Sequence, residues 1–600
     1  MHQVETDPYQ APLPASLPTI RWSARAALAS GTAYVAFRLL FTLDGTALAT
    51  ALLLLIAEAL GLVVFALRAT AAWHEPEQPV DVPDAPLPST TVVVDAAGST
   101  AEAVRTSLVS CGRLRGAERI VVADPCDAGA IRAVAERFGA AVVVQAATRV
   151  AAETSAMWVL VVRAGDLPLP DALELLATPC SAPDVGIVQL GVEEANPSSF
   201  EHDPTGRWSL APFEHQVLRP SLAAQGSIPW YGDVPAMVRP ASIRDAQDTS
   251  GSTIDLGIHA NALGYRVTLV PRTLARLRGP QSLAESLRDR FARTSALRRR
   301  AVGRMEDVPR DLRRPFRLAL AEPLAAIQRC LLVAVGVLAM GYGQLPIAGS
   351  TIAVALFGLP AYALRWQAQT LLGRGRLGRF SVLRSELRSV GVDLTFGYGG
   401  NLGGLRGRLV VLGMMTTLIA LAVAVGAVAV WRDWSGRMPI GATAVTLALA
   451  AGFLIVAAEV LLDALARRQR RRNHRVRLGR VSCRLEGRRG QLRDLSMGGC
   501  GLAIEAGAEP LPSRDETVTV SFRIPDADGA WRDVVTTGRV AHTRATGPGE
   551  HRVGLAFVNP TEHALDPVVE FLTIDRRLVA LGRRAPAMVD GWSGEPIFGG

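Results

Sequence analysis

The stretch RRNHRVRLGRVSCRLEGRRGQLRDLSMGGCGLAIE, residues 471–505, decides how the chain divides. It opens on the arginine run Arg471-Arg472-Asn473-His474-Arg475 and, past Arg477, changes into short alternating segments that reach Asp494-Leu495-Ser496-Met497-Gly498-Gly499. The segments Thr517 to Ile524, Trp531 to Val540 and His551 to Phe557 repeat the pattern between Gly, Pro and Asp, and a helical pattern follows near Glu562 to Leu572. Period-two runs separated by turn residues predict a small antiparallel β barrel followed by a helix.

Upstream the composition is different in kind. The 600 residues are 49% hydrophobic, high for a soluble chain, so membrane spans are expected. The formal charge of +9 is carried by arginine alone, since no lysine occurs. That removes a P-loop lysine and Schiff-base chemistry, and leaves arginine as the strong anion-binding side chain. Much of the basic excess flanks apolar segments, which favours membrane topology over binding to a nucleic-acid polymer.

Six segments are apolar and long enough to cross a hydrocarbon core of about 30 Å as helices. They run from Ala26 to Leu43, Leu48 to Leu67, Ile327 to Leu345, Ile347 to Leu364, Leu409 to Trp431 and Pro439 to Leu462. Arg21 and Arg25 precede the first, Arg365, Arg374, Arg376 and Arg379 follow the fourth, and Arg467 to Arg472 follow the sixth, which sets these flanks in the cytoplasm. The joints Leu43 to Thr46, Gly343 to Pro346 and Arg432 to Arg437 then face the periplasm. Both termini and both large domains are expected to be cytoplasmic. The polar first twenty residues lack the form of a cleavable signal peptide, so the first apolar segment is expected to stay as an anchor.

Between the second and third spans, β-branched runs alternate with helical patterns. Thr91 to Val94, Arg119 to Val122, Ala141 to Val144 and Met157 to Val162 read as strands, with helices near Ala101 to Val109 and Gly129 to Phe138. This order predicts a sheet with a mainly parallel core. The six cysteines, Cys111, Cys126, Cys180, Cys330, Cys483 and Cys500, show no C-x-x-C spacing, and the nine histidines no H-E-x-x-H, so no metal site is read from these residues.

Two spans, a cytoplasmic α/β domain, four further spans and a terminal barrel together resemble bacterial cellulose synthase catalytic subunits over nearly the whole chain. Local marks are Tyr34-Val-Ala-Phe37-Arg38, Ala57-Glu58, Val188-Gln189, Asn196-Pro197, and Gly264-Tyr265-Arg266 leading to Val270-Pro271, as in family-2 glycosyltransferases. None is catalytic. The resemblance implies a GT-A-like domain in which a D-x-D motif holds a divalent cation against a nucleotide-sugar diphosphate. Here the strand Met157 to Val162 runs into Arg163-Ala164-Gly165-Asp166-Leu167-Pro168-Leu169-Pro170, which places Arg163 and Gly165 at the two Asp positions. Asp166 and Asp124 stand nearby as catalytic candidates, although a lone Asp at a strand end also serves as a turn or cap residue. The family's T-E-D base motif corresponds to Thr253-Ile254-Asp255, where Asp255 is the candidate base or else a helix N-terminal acid. The Q-x-x-R-W motif reads Leu287-Arg288-Asp289-Arg290-Phe291, and the gating loop reads Phe396 to Gly404 without lysine. The catalytic motifs look degenerate, and Mg2+ is expected only if transfer survives.

Within the first hairpin, Arg38 and Glu58 invite an intramembrane ion pair. Counted from Asp44, they differ by roughly 10 Å along the helix axes, so snorkelling of Arg38 to the interface stands as the alternative.

The pair of motifs quoted at the outset resembles the PilZ pattern R-x-x-x-R followed by D/N-x-S-x-x-G. The resemblance implies cyclic di-GMP binding: Arg471 and Arg475 pair with phosphates and with guanine edges, Asp494 and Ser496 bond other polar groups of the ligand, and Gly499 permits close backbone approach. The expected fold class is therefore α/β plus membrane helices plus all-β. Its parts are a tail at 1–24, two spans at 25–72, a GT-A-like domain at 73–315, four spans with an amphipathic segment at 316–465, a PilZ six-stranded barrel at 466–575 and a tail at 576–600. The expected setting is the bacterial inner membrane, with a polysaccharide synthase or another envelope complex as partner. Two functions compete: a non-catalytic cyclic di-GMP-binding regulator of exopolysaccharide synthesis, and an active processive glycosyltransferase.

Overall fold

The computed structural model describes residues 16–43, 48–74, 89–194, 214–226, 228, 234–244, 253–278, 318, 321–342, 351–374, 424, 428, 431, 476–505, 511–525, 530–547, 550–559 and 563–573. In chain order, α1 (Leu17–Phe41) and α2 (Leu48–Ala72) precede β1 (Thr90–Asp95), α3 (Ala101–Cys111), β2 (Ala117–Ala123), α4 (Gly129–Arg137), β3 (Ala141–Val143) and α5 (Ala147–Glu153). There follow β4 (Trp158–Arg163), β5 (Leu167–Pro168), α6 (Ala172–Ser181), β6 (Val185–Glu194), β7 (Ala236–Val238), α7 (Thr253–Ala262), β8 (Arg266–Leu277), α8 (Ala321–Tyr342) and α9 (Thr351–Leu372). The last part holds β9 (Val476–Leu485), β10 (Arg488–Ser496), β11 (Gly499–Glu505), β12 (Thr517–Pro525), β13 (Trp531–Gly547), β14 (Glu550–Phe557) and α10 (Asp566–Thr573). Two compact units result: Met1–Gln78 with Pro197–Pro229 and Pro280–Arg470, and Pro79–Asn196 with Trp230–Gly279 and Arg471–Gly600.

In the first unit, α1, α2, α8 and α9 pack through small side chains. Ile20, Ala24 and Ala27 of α1 meet Phe65, Ala69 and Ala72 of α2, Ala368 and Leu372 of α9, and Val217 of a helical turn at Glu214–Leu218. Val64 of α2 packs on Ala321 and Ala325 of α8. Among the described residues, α2 is the one helix long and apolar enough to cross a membrane by length and composition. The first, third and fourth expected spans fall on α1, α8 and α9, the sixth lies outside the described residues, and so does the fifth apart from the helical residues 424, 428 and 431. Arg21, Arg25 and Arg38 lower the hydropathy of α1.

Of the two readings of Arg38, the structure holds the ion pair. Its side chain is fully buried, and Nε lies 3.1 Å from Glu58 Oε2. Tyr34 Oη donates to Glu58 Oε1 at 2.7 Å, and Arg38 Nη1 donates to Thr42 Oγ1 at 2.6 Å. Two long side chains bridge the offset counted along the axes, and Arg38 also reaches Thr42 one turn nearer the hairpin.

In the second unit the sheet runs β3-β2-β1-β4-β7-β6-β8-β5. β1, whose Thr90 to Val94 are all buried, is paired in parallel on both sides, to β2 and β4; such a strand reads as a continuous β-branched run. The parallel core is as expected, and β7 and β5 add antiparallel pairings beyond it. Asp95 is in register with Ala123 of β2 and Arg163 of β4, so these three mark one carboxyl edge of the sheet. The remaining strands close a barrel in the order β10-β11-β14-β13-β12-β9. Leu492, Leu502, Val520, Val534, Val553 and Leu555 fill its interior, and Val568 and Phe571 of α10 join them.

Candidate functional site

In the barrel, a register shift between Leu492 and Asp494 bulges β10 against both neighbours, β9 and β11. A bulge re-aims the side chains beyond it. Asp494 comes to face Gly501, and its carboxylate stands where a side chain on Gly501 would begin, 2.5 Å from an added Cβ. Asp494 Oδ2 accepts from Arg552 Nη2 of β14 at 3.1 Å. Ser496 and Gly499 face each other across the hairpin, whose tip is Met497-Gly498, and Ser496 Oγ donates to the Gly499 carbonyl at 2.8 Å. Gly499 allows a close backbone approach, but the approaching group is β14: an added Cβ would lie 2.1 Å from the Leu555 carbonyl oxygen. Asp494, Ser496 and Gly499 thus come together at one end of the hairpin. Arg471 and Arg475, just ahead of β9, lie outside the described residues.

At the carboxyl edge of the sheet, the place where open α/β sheets bind ligands, four residues meet. Asp124 closes the turn into α4: its carboxylate oxygens accept from the Cys126 and Ala128 N–H groups at 3.0 and 2.7 Å. Asp95 accepts from the Ala97 N–H at 3.1 Å. Burial pushes the Asp95 carboxyl above its ordinary value, while the Ala97 N–H and Arg163 act the other way. Arg163 Nη2 donates to the Arg278 carbonyl at 3.3 Å and lies 3.9 Å from Asp166 Oδ1. Asp166 is fully buried and accepts from the Arg278 N–H at 3.0 Å. Asp255 stands in the first turn of α7.

These residues do not suit a divalent cation. A guanidinium occupies the position expected of the first carboxylate and repels a cation. At the second, Gly165 has φ +99°, and an added Cβ would lie 2.7 Å from the Arg278 side chain. An aspartate there would be strained by its backbone alone. Among the described residues no group of three or more His, Cys, Asp or Glu side chains is placed to hold a metal ion.

Residues 467–573 match the PilZ domain family. The barrel is a PilZ domain. Among solved structures, the chain is similar to a mannosyltransferase from Pyrobaculum calidifontis in complex with GDP-mannose and Mn2+, with 17% identity, 58% of this chain and 100% of that one covered, and a TM-score of 0.39. It is similar to glucosyl-3-phosphoglycerate synthase from Mycobacterium tuberculosis in complex with Mn2+, uridine diphosphate and phosphoglyceric acid, with 18% identity, 37% and 86% covered, and a TM-score of 0.27. The inhibitor of motility from Bacillus subtilis is similar at 18% identity, with 19% and 53% covered and a TM-score of 0.16. No curated protein matches the chain.

Two features of the PilZ domain escape a reading of local motifs. Arg552 lies far along the chain from the Asp494 that it holds, and nothing in its neighbourhood distinguishes it from other strand arginines. The second is the contact that α10 makes with α3. Arg113, just past α3, pairs with Glu570, while Arg105 of α3 and Arg137 of α4 lie 3.8 and 3.4 Å from Asp566 Oδ1. A signal existed in the sequence: α3 carries Arg105, Thr106, Ser107 and Ser110 around its circumference, more polarity than a helix on a sheet needs for one exposed face.

Proposed function

We propose that the chain is a multi-pass inner-membrane receptor for cyclic di-GMP, built on a cellulose-synthase-like frame, whose transferase-like sheet transfers no sugar and which regulates envelope or exopolysaccharide synthesis. The observation that carries the ligand assignment is the hairpin of the PilZ domain, where Asp494, Ser496 and Gly499 are gathered on the strand pair that follows Arg471 and Arg475. Two guanidiniums suit a compact dianionic dinucleotide, because each can pair with phosphate and bond the O6 and N7 edge of guanine.

Membrane residence is supported by the first unit's surface. Leu40 and Phe41 of α1 and Leu356 and Leu359 of α9 are each about 70% exposed, and Leu52, Ile56 and Val63 of α2 are exposed as well. Apolar exposure of this extent suits lipid better than water. The non-catalytic reading is supported by Arg163 and by the φ of Gly165. The competing reading, a transferase that uses Asp124, Asp166 and Asp255, loses support because Asp124 and Asp166 are committed to backbone N–H groups.

Calorimetry of the full chain in detergent tests the receptor. A charge-assisted hydrogen bond contributes roughly 1.5 to 3 kcal/mol, so Arg471→Ala or Arg475→Ala should weaken cyclic di-GMP binding about ten-fold or more. Arg467→Ala, on the membrane flank, should leave affinity nearly unchanged. Equal losses for Arg467 and Arg475, or no binding by the intact chain, would reject the assignment.

A further inference from the structure

One helix touches both candidate sites. α3 is buried all round from Ala103 to Cys111. On one side Thr106 Oγ1, which donates to the Glu102 carbonyl at 2.8 Å, also lies 3.5 Å from Met497 Sδ, and Met497 is the tip of the Asp494 to Gly499 hairpin. Arg105 and Arg113 lie on the same side at helical spacing and face Asp566 and Glu570 of α10. On the other side the next residue, Ser107, is threaded into the β4–β5 loop. Its Oγ accepts from the Gly165 N–H at 2.8 Å and donates to the Asp166 carbonyl at 2.8 Å. Ser110 Oγ donates to the Pro168 carbonyl at 2.6 Å. The loop held by these two serines carries Arg163 and Asp166.

We propose that α3 is the element through which ligand at the PilZ hairpin controls the β4–β5 loop, and with it the presentation of Arg163 at the sheet edge. This rests on the reading of the PilZ domain as a cyclic di-GMP receptor. A dinucleotide on the hairpin pins Met497-Gly498, whose neighbours Ser496 and Gly499 already close the turn on themselves. The tip then has fewer positions to offer Thr106. A packed helix moves as a body, so a shift at Thr106 reaches Ser107 and Ser110 without passing through solvent. The anchoring is charged on the barrel side and made of short hydroxyl bonds to backbone on the loop side. Burial lowers the pKa of Arg105 from its ordinary value, against the attraction of Asp566, so the guanidinium is held in a poorly hydrated seam. Coupling is reciprocal: whatever the ligand does to the loop, an anion held by Arg163 does in return to ligand affinity.

The test follows amide hydrogen exchange of the full chain in detergent, with and without saturating cyclic di-GMP, while calorimetry measures binding on the same samples. In the unaltered chain, ligand is expected to change exchange in α3 and residues 163–168 by roughly five-fold or more, the lower end of ordinary coupling. Thr106→Val removes the hydroxyl that meets Met497, and Glu570→Gln weakens the anchoring of α10 while keeping its shape. Each is expected to bind ligand within about three-fold of the unaltered chain, since neither residue belongs to the ligand motif, and to lose most of the response at 163–168. Should Thr106→Val fold poorly, Glu570→Gln alone decides. Ligand binding with no response of residues 163–168 in the unaltered chain would overturn the proposal, and so would an undiminished response in both variants. Silence of the calorimeter on the unaltered chain would sink the receptor reading, and this proposal with it, and is told apart from the other failures by the absent heat.

Discussion

Asp95 shows how one residue at the sheet edge is governed by its surroundings. Its folded pKa is raised, chiefly by burial, so its contribution to stability is fully present below the unfolded value of about 3.9 and is lost as pH rises through the folded value. Asp95→Asn keeps an acceptor for the Ala97 N–H and removes the charge. The variant should therefore melt a few degrees above the unaltered chain at pH 7, with the advantage shrinking toward pH 4. Thermal unfolding at the two pH values checks this, and an equal or lower midpoint at pH 7 counts against it. At this scale the sequence is legible where a residue's work is local. Ser496 and Gly499 were readable as a pair because a tight turn brings them together. Asp494 was readable as a site residue but not as the partner of Arg552, because that pairing is made by closure of the barrel. The Arg38 to Glu58 pair was one of two readings the sequence left open, because a count of rise per residue omits the reach of two long side chains.

Among elements, the strands were legible because β-branched runs and turn residues alternate plainly from Thr91 onward and again past Arg477. The helix α3 was legible as a helix, and its all-round polarity signalled a second covering element without saying that a barrel supplies it. β11 offers a sharp test of how tightly the barrel is drawn. An added Cβ at Gly499 meets the Leu555 carbonyl oxygen at 2.1 Å, and that oxygen is backbone, so the ladder to β14 must open. Overpacking of this kind costs about 1 to 3 kcal/mol. Gly499→Ala should lower the barrel's stability by that amount and weaken ligand binding with it. Gly129, at the start of α4, has open space around its Cβ position, and Gly129→Ala should be neutral or stabilising by about 0.4 to 1 kcal/mol. Denaturant titration of both variants decides whether the loss at Gly499 is steric or the generic cost of altering a glycine.

For the whole molecule the proposed function turns on whether the α/β sheet transfers sugar, and fold alone does not answer that. At the position that the resemblance assigns to a D-x-D motif stand Arg163 and Gly165, and whether that edge can hold a cation turns on the backbone and carboxylates around them. Gly165 has a backbone conformation that disfavours any side chain, Arg278 fills the space beside it, and the neighbouring Asp124 and Asp166 carboxylates accept from backbone N–H groups. On the proposed reading, added metal finds no free carboxylate pair to hold it against a diphosphate. Membrane vesicles containing the full chain, given radiolabelled UDP-glucose or GDP-mannose with Mg2+ or Mn2+ and cyclic di-GMP, should make no polymer above vesicles lacking the chain. Asp255→Asn should change nothing in that measurement, because a base without a held leaving group has no step to assist. Metal-dependent polymer that Asp255→Asn abolishes would instead establish a working transferase, and Arg163 would then have to be read as a direct clamp on the nucleotide phosphates rather than as a replacement for the metal.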